Sequence, residues 1–375
     1  MLTRKLPDGR TVSLLGFGTM RLPVDKDKKI IQEQVNAMTD AAFEGGVCYF
    51  DTAYPYHDQK SEASIGQALK SHPRDSFIIA DKMPVPFVET EEDLERIFSI
   101  QLERTGLDFF DVYLLHALDN DRFDKAEKLH MYDFLVQKKA EGKIKNIGFS
   151  FHDSPEVLQK IVSTHKWDVA QIQLNYIDRD LQRAEEQYQI LTDAGIGVLV
   201  MEPIRGGYLS NLPTEAHQAL AAVHPDWSDS SWALRWVATH PNVRVILSGM
   251  SNMEQMKENI QTMSDSTPFA QAEFDAINAA LEGLNKLNAV PCTGCRYCMD
   301  CPFGVDIPRV FAIYNDYKKH GNAFITKRAY QNFTPAEHRA DVCKKCGLCK
   351  TKCPQHIDIP TELEKIHQIL MAIEV

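Results

Sequence analysis

The chain has 375 residues, too many for one small domain and enough for a barrel of about 250 residues with an appendage. Apolar residues make up 44% and charged residues 25%, the balance of an ordinary folded protein, which excludes disorder of the whole chain. The net charge of −11 argues against nucleic acid as a partner. No window approaches roughly 18 uninterrupted apolar residues, and the opening MLTRKLPDGR turns before an export core could form. The expectation is a cytoplasmic protein with no membrane partner.

In chain order, Arg4–Leu6 and Thr11–Ser13 flank the turn Pro7-Asp8-Gly9-Arg10, a hairpin that could plug the bottom of a barrel. Eight strand-like runs follow, beginning near Leu14, Val47, Phe77, Asp111, Asn146, Val169, Gly197 and Val243. Their starts lie 23 to 46 residues apart, room for a crossover helix each time. Ile31, Val35, Met38 and Ala42 form one apolar helical stripe. Gly45, Gly106, Gly142 and Gly195 are expected to close helices in the left-handed conformation, and Ser154-Pro155 to open one. Trp227, Trp232 and Trp236 are expected to pack a barrel helix. Eight regular units with no G-x-G-x-x-G after the first strand favour closure into a (β/α)8 TIM barrel over an open sheet. The barrel, with its hairpin, is assigned to residues 1–288. A helical stretch from Phe269 to about Asn288 leads out of it.

Eight of the nine cysteines fall in the last part, assigned to residues 289–375. They form Cys292, Cys295, Cys298 and Cys301 before a proline, then Cys343, Cys346, Cys349 and Cys353 before another. Without an export signal, structural disulfides are not expected. Zinc usually takes pairs of ligands from two knuckles, whereas three thiolates on one tight turn suit the corners of an iron–sulfur cubane. The run Cys301-Pro302-Phe303-Gly304-Val305-Asp306-Ile307-Pro308 repeats as Cys353-Pro354-Gln355-His356-Ile357-Asp358-Ile359-Pro360. This segment resembles the two-cluster ferredoxins, which implies two [4Fe-4S] clusters, one on Cys292, Cys295, Cys298 and Cys353 and the other on Cys343, Cys346, Cys349 and Cys301. The first group departs from that pattern, with two residues instead of three before Cys301. Helical patterning such as Val310–Tyr314 points to a small, mainly helical variant of the ferredoxin-like domain.

Reacting groups of such barrels sit at the carboxyl ends of strands. Asp51, Lys82 and His116 end the second, third and fourth strands, and Tyr56 lies in the loop after Asp51. A phenol with a pKa near 10 is a poor proton donor at neutral pH, and a neighbouring ammonium lowers that value. Lys82 is expected to do so, with Asp51 holding the lysine and His116 orienting a carbonyl oxygen. The run from Gly46 through Asp51 to Tyr56, continued by Ser61-Glu62-Ala63-Ser64-Ile65-Gly66, together with Lys82 and His116, resembles the aldo-keto reductase family over about residues 1–285. The resemblance implies hydride transfer between a nicotinamide cofactor, NADP(H) or NAD(H), and a small-molecule carbonyl or alcohol, with Tyr56 protonating the developing alkoxide. It also implies cofactor contacts at Ser150, Gln171, Met201, Ser248, Gly249, Ser251, Gln255, Glu258 and Asn259. Three departures stand out: Phe151 where asparagine is common, Met201 where an aromatic ring usually stacks on the nicotinamide, and Gln255 where an arginine would grip a 2′-phosphate.

Two alternatives remain beside this reading. Clusters pass one electron at a time while a nicotinamide gives two, so the clusters could feed single electrons to a barrel substrate without nicotinamide. Alternatively, the protein is an electron carrier that docks a redox partner, with the barrel as scaffold. His57 and His152 are loop residues or substrate contacts, and Cys48 is expected to be a buried free thiol. Lys344, Lys345, Lys350 and Lys352 form a solvated face or attract an acidic redox partner.

Overall fold

The computed structural model describes residues 1–285 and 287–373. By contact, the chain divides into two compact units, Met1–Ile204 with Ser230–Phe269, and Arg205–Asp229 with Ala270–Val375. Residues 205–229 and 270–288, assigned to the barrel from sequence, group here with the cysteine segment.

In the first unit, β1 (Thr3–Lys5) and β2 (Thr11–Ser13) form the hairpin, paired antiparallel with Arg4 opposite Val12. The eight expected strands are all present: β3 (Leu15–Gly18), β4 (Tyr49–Asp51), β5 (Ile78–Met83), β6 (Phe110–Leu118), β7 (Ile144–Phe151), β8 (Val169–Gln173), β9 (Gly197–Met201) and β10 (Val243–Ser248). They run parallel in sequence order, and β10 closes the barrel on β3, Ile246 beside Leu15. Strands buried on both faces read as mainly apolar runs, and β4, β5, β6 and β8 are buried at every position, their few polar residues included. Leu6 and Val12 of the hairpin join Tyr49, Val112, Leu114, Val169, Leu199 and Val245 in one core cluster, so the hairpin fills one end of the barrel.

Local chemistry explains most of the helices. Gln32–Glu44 buries Val35, Met38 and Ala42, and Pro155–Thr164 is capped by the Ser154 side chain, which accepts the Val157 N–H. Gly106, Gly142 and Gly195 take positive φ as expected, but Gly45 has φ −79° and Gly46 carries the left-handed turn instead. Trp232 and Trp236 are buried in Asp229–Ala238. Trp227 lies outside that helix, stacked on His224 at 3.8 Å. Gly66 lets two helices meet: a Cβ there would lie 2.3 Å from the Thr105 carbonyl oxygen.

The second unit is helical. Thr214–Ala221 packs on Gln271–Asn285; the expected stretch from Phe269 to Asn288 includes Lys286, which lies outside the described residues. Helices Ile307–His320 and Ile359–Met371 pack together over a core of Val305, Val310, Phe311, Tyr314, Leu363, Ile366 and Leu370. Each starts at the aspartate and proline of the internal repeat. The repeat therefore sets a proline in the first turn of the helix that follows each cysteine group, and Asp306 also caps its helix by accepting the Arg309 N–H.

Candidate active site and cluster-binding cysteines

At the carboxyl end of the barrel strands, Asp51, Lys82 and His116 are all buried, at 3%, 1% and 6% exposure. Lys82 Nζ donates to Asp51 Oδ1 and to the Thr52 carbonyl, both at 2.7 Å. The same nitrogen lies 5.0 Å from the centre of the Tyr56 ring. Tyr56 and His116 meet edge to face with ring centres 6.0 Å apart. Four side chains from three strand ends and the loop after one of them thus converge at one mouth.

The electrostatics differ from the sequence expectation in one respect. Loss of water around the Tyr56 hydroxyl, followed by the charges of Asp51, Glu202 and Asp81, raises its pKa well above the usual 10. The Lys82 ammonium is committed to Asp51 and faces the ring, so its charge does not pull the phenol down. Tyr56 is a phenol firmly in its protonated form. Burial, and then the neighbouring Lys82, His152 and Arg122, drive the His116 pKa well below 6.5. His116 is therefore a neutral imidazole, able to donate one hydrogen bond and accept another.

The expected cofactor contacts sort into three kinds. Gln171 is buried, and its Oε1 has no hydrogen-bond partner, an acceptor left open for a donor such as a carboxamide NH2. Ser150 is buried too, but its Oγ accepts the Ala117 N–H at 2.7 Å. Ala117 has φ 59° at the irregularity in β6 directly after His116, so Ser150 fixes the backbone that aims the imidazole. Met201 ends β9, partly exposed. Ser248 accepts from Asn259 Nδ2 at 3.0 Å. Gly249 lies against Arg21, whose side chain would be 3.3 Å from an added Cβ. Gln255 folds back: its Oε1 accepts the Ser251 N–H at 2.8 Å and its own N–H is capped by Asn252. Its side chain thus serves the helix start. Glu258 is half-buried on the same helix.

Several residues at the mouth were not singled out from sequence. Glu202, directly after β9, acts on Tyr56 through its charge and lies 3.9 Å from Arg21. Arg122 donates to the Ala117 carbonyl at 2.8 Å. Asp81, next to Lys82, is fully buried with Oδ2 unpartnered. All but Arg122 lie on or within three residues of a strand end, the one signal that could have found them. His57 holds the loop after β3 by accepting the Leu22 N–H at 3.1 Å. Cys48, expected buried, is partly exposed and accepts the Ser13 N–H.

In the second unit the cysteines sort across the repeat. Cys292, Cys295, Cys298 and Cys353 line one cavity, with Thr293, Arg296 and Ile307 among its walls. Cys301, Cys343, Cys346 and Cys349 line another of about 440 Å³, solvent at its mouth included; Cys298 also reaches its edge. Each three-cysteine turn has the same backbone. Gly294 and Arg296 in the first, Lys345 and Gly347 in the second, all have positive φ, and the Gly294 and Lys345 N–H groups each donate to the sulfur two residues back at 3.4 Å. The left-handed residues curl the chain so that its thiols point inward. Burial first, and then neighbouring thiols, push Cys292 up to about 11 and Cys298 up to about 12. Such a set ionises only around a strong cation, and two spaced sets of four suit cubanes. Among the described residues, no three His, Cys, Asp or Glu side chains are arranged to hold a single metal ion.

Residues 14–282 match the Aldo/keto reductase family, most of the chain. The protein belongs to that family. Residues 291–358 match a 4Fe-4S dicluster domain, making this family member an oxidoreductase with an iron–sulfur domain. It is similar to an uncharacterized oxidoreductase of Bacillus subtilis, 27% identical over 72% of this chain and 92% of the relative. It is also similar to an NADH-specific methylglyoxal reductase of Escherichia coli, 24% identical over 72% and 96%. Among solved structures, an aldo-keto reductase from Bacillus halodurans in its holo form superposes with a TM-score of 0.63, at 26% identity, covering 75% of this chain and 96% of that one. Among the described residues, no helix of this reductase is long and apolar enough to cross a membrane.

Proposed function

We propose that residues 1–288 reduce a small-molecule carbonyl, or oxidise the corresponding alcohol, with a nicotinamide cofactor, and that residues 289–375 hold two [4Fe-4S] clusters. The observation that carries the barrel reading is the buried Lys82–Asp51 pair set against the Tyr56 ring beside a neutral His116. The open Gln171 Oε1 fits a carboxamide, and Met201 offers a soft thioether surface to the ring. The nicotinamide, when bound, supplies or accepts a hydride. The rest is done by this chain. His116 donates a hydrogen bond to the substrate oxygen and orients it. Tyr56, kept protonated by its surroundings, gives up its hydroxyl proton only to the strongly basic alkoxide that forms on reduction. Asp51 fixes Lys82, whose ammonium stands against the Tyr56 ring. Ser150 keeps His116 aimed through Ala117.

The donor sets Cys292, Cys295, Cys298, Cys353 and Cys301, Cys343, Cys346, Cys349 would hold the clusters, which carry single electrons. These thiol-rich sites favour a reducing compartment, and we place the protein in the cytoplasm. A second reading, single electrons reaching the barrel substrate without nicotinamide, draws on Met201 in place of an aromatic ring and on Gln255 being turned to its own helix start. Titration of the anaerobically purified holoprotein with NADH and NADPH, followed by fluorescence, tests the proposal. Saturable binding of either, lost in Gln171→Ala with iron content unchanged, is expected; no binding of either would overturn the nicotinamide reading.

A further inference from the structure

The two cysteine sets are alike in backbone but unequal in electrostatic setting. Behind Cys292 stands Arg205, 86 residues from Pro291 in sequence. It is 3% exposed, and its guanidinium donates to the carbonyl of Pro291, the residue before Cys292, at 3.3 Å. The backbone there is unusual: Arg205 has φ 49°, followed by Gly206 at 63° and Gly207 at 91°. Glycine adopts this conformation freely, whereas a residue with a Cβ is strained by about 1–2 kcal/mol. Strain accepted at an arginine indicates that its side chain is needed where it is. Lys319 adds a second cation to the same loop, its Nζ 3.6 Å from the Tyr208 ring centre and bonded to the carbonyls of Tyr208 and Asn211.

The other set has no such buried cation among its described neighbours. Cys346 is exposed, its cavity is lined by Asp300 and Lys352, of opposite charge, and Lys345 and Lys350 are tied to Glu364 and Asp358 at 2.9 and 3.3 Å. A cluster gains one negative charge on reduction, and its potential depends on nearby charge, hydrogen bonding and solvent. A fixed cation in a low-dielectric interior therefore favours the reduced form far more than one screened by water.

We propose that Arg205 tunes the cluster site of Cys292, Cys295, Cys298 and Cys353 to the higher reduction potential of the two, so that the first electron entering the pair rests there. A one-electron reductant, dithionite in the assay, supplies the electron; no bond is made or broken and no proton moves. The inference rests on the two-cluster reading. Iron and sulfide analysis of the same sample tests that reading separately, with about eight of each per chain expected for two cubanes.

The test is an anaerobic redox titration of the full-length holoprotein followed by electron paramagnetic resonance. Wild type should give two midpoints. Cys346→Ser should alter the signal that is reduced second and leave the other intact. Arg205→Gln should shift the higher midpoint downward by at least tenfold in the one-electron equilibrium, about 59 mV, with the lower midpoint unmoved. Arg205→Lys, which keeps the charge, should retain most of the wild-type value; loss of packing alone would lower iron content without this charge-dependent pattern. The proposal is overturned if Arg205→Gln leaves the higher midpoint in place, if Arg205→Lys falls as far as Gln, or if the signal altered by Cys346→Ser is the one reduced first. That last measurement needs no arginine variant and decides the matter even if Arg205→Gln fails to load iron.

Discussion

Replacing Lys82 with Met separates the cost of half an ion pair from the worth of a whole one. Lys82 and Asp51 are 1% and 3% exposed and 2.7 Å apart. At that distance an effective dielectric constant near 20 gives an attraction of about 6 kcal/mol. Stripping water from two ions costs several kcal/mol each, so the intact pair is close to break-even. Half a pair is not. In Lys82→Met, Asp51 would lose the partner of Oδ1 while Oδ2 already has none, and the expected loss of stability is about 3–5 kcal/mol. Urea unfolding followed by the fluorescence of the buried barrel residues Trp232 and Trp236 measures it. Adding Asp51→Asn to Lys82→Met removes the stranded charge and should restore about 2 kcal/mol or more. The loss in the single variant should also shrink as pH falls, because burial already raises the Asp51 pKa and the folded state then takes up the proton more readily than the unfolded one. A loss below about 1 kcal/mol, or a double variant as unstable as the sum of the singles, would refute this account.

The remaining predictions concern titration, aiming and backbone. Because the folded His116 pKa lies well below 6.5, its contribution to stability is complete above about 6.5 and drains away as pH falls from there toward the folded value; a pH series of thermal unfolding with His116→Gln as control checks this. Tyr56, raised well above 10, should stay protonated through the neutral and mildly alkaline range, so carbonyl reduction measured against pH should show no phenol inflection below 10, and Tyr56→Phe should abolish turnover. Ser150→Ala leaves the buried Ala117 N–H unpaired, costing about 1–3 kcal/mol, and should lower kcat more than it raises KM. Arg296→Gly and Lys345→Gly relieve left-handed backbone at φ 66° and 52°, and each should leave stability unchanged or raise it by up to about 1 kcal/mol, read from the thermal midpoint of the iron-loaded protein.

The sequence was most informative where one short-range rule decides the outcome. Strands buried on both faces are mainly apolar along their length, so all eight could be placed. Ser154-Pro155 could be seen to start a helix because a cap and a proline act locally. It was less informative where direction depends on a distant partner. Gly45 and Gly46 compete for one helix end, and only the chain's exit path chooses Gly46. Ser150 lies near a strand end and Gln255 in the first turn of a helix; the backbone N–H groups of Ala117 and Ser251 claim their side chains. The upward shift of Tyr56 follows first from how fully its hydroxyl is stripped of water and then from the carboxylates around it, which residue order does not reveal. Arg205 could not be read at all, since the carbonyl it binds lies 86 residues further on.

The exchange of one cysteine between the two groups has a bearing on biosynthesis and decay. Cys353 lines the cavity of the first triplet and Cys301 that of the second, so each inorganic core would act as a rivet across the long intervening stretch, shrinking the freedom of the unfolded chain as a crosslink does. Neither rivet can be set until the ribosome has delivered the distal triplet, and the first must also await Cys353. Oxidative loss of either core would loosen one end of both triplets at once, so the pair is expected to be built late and lost together.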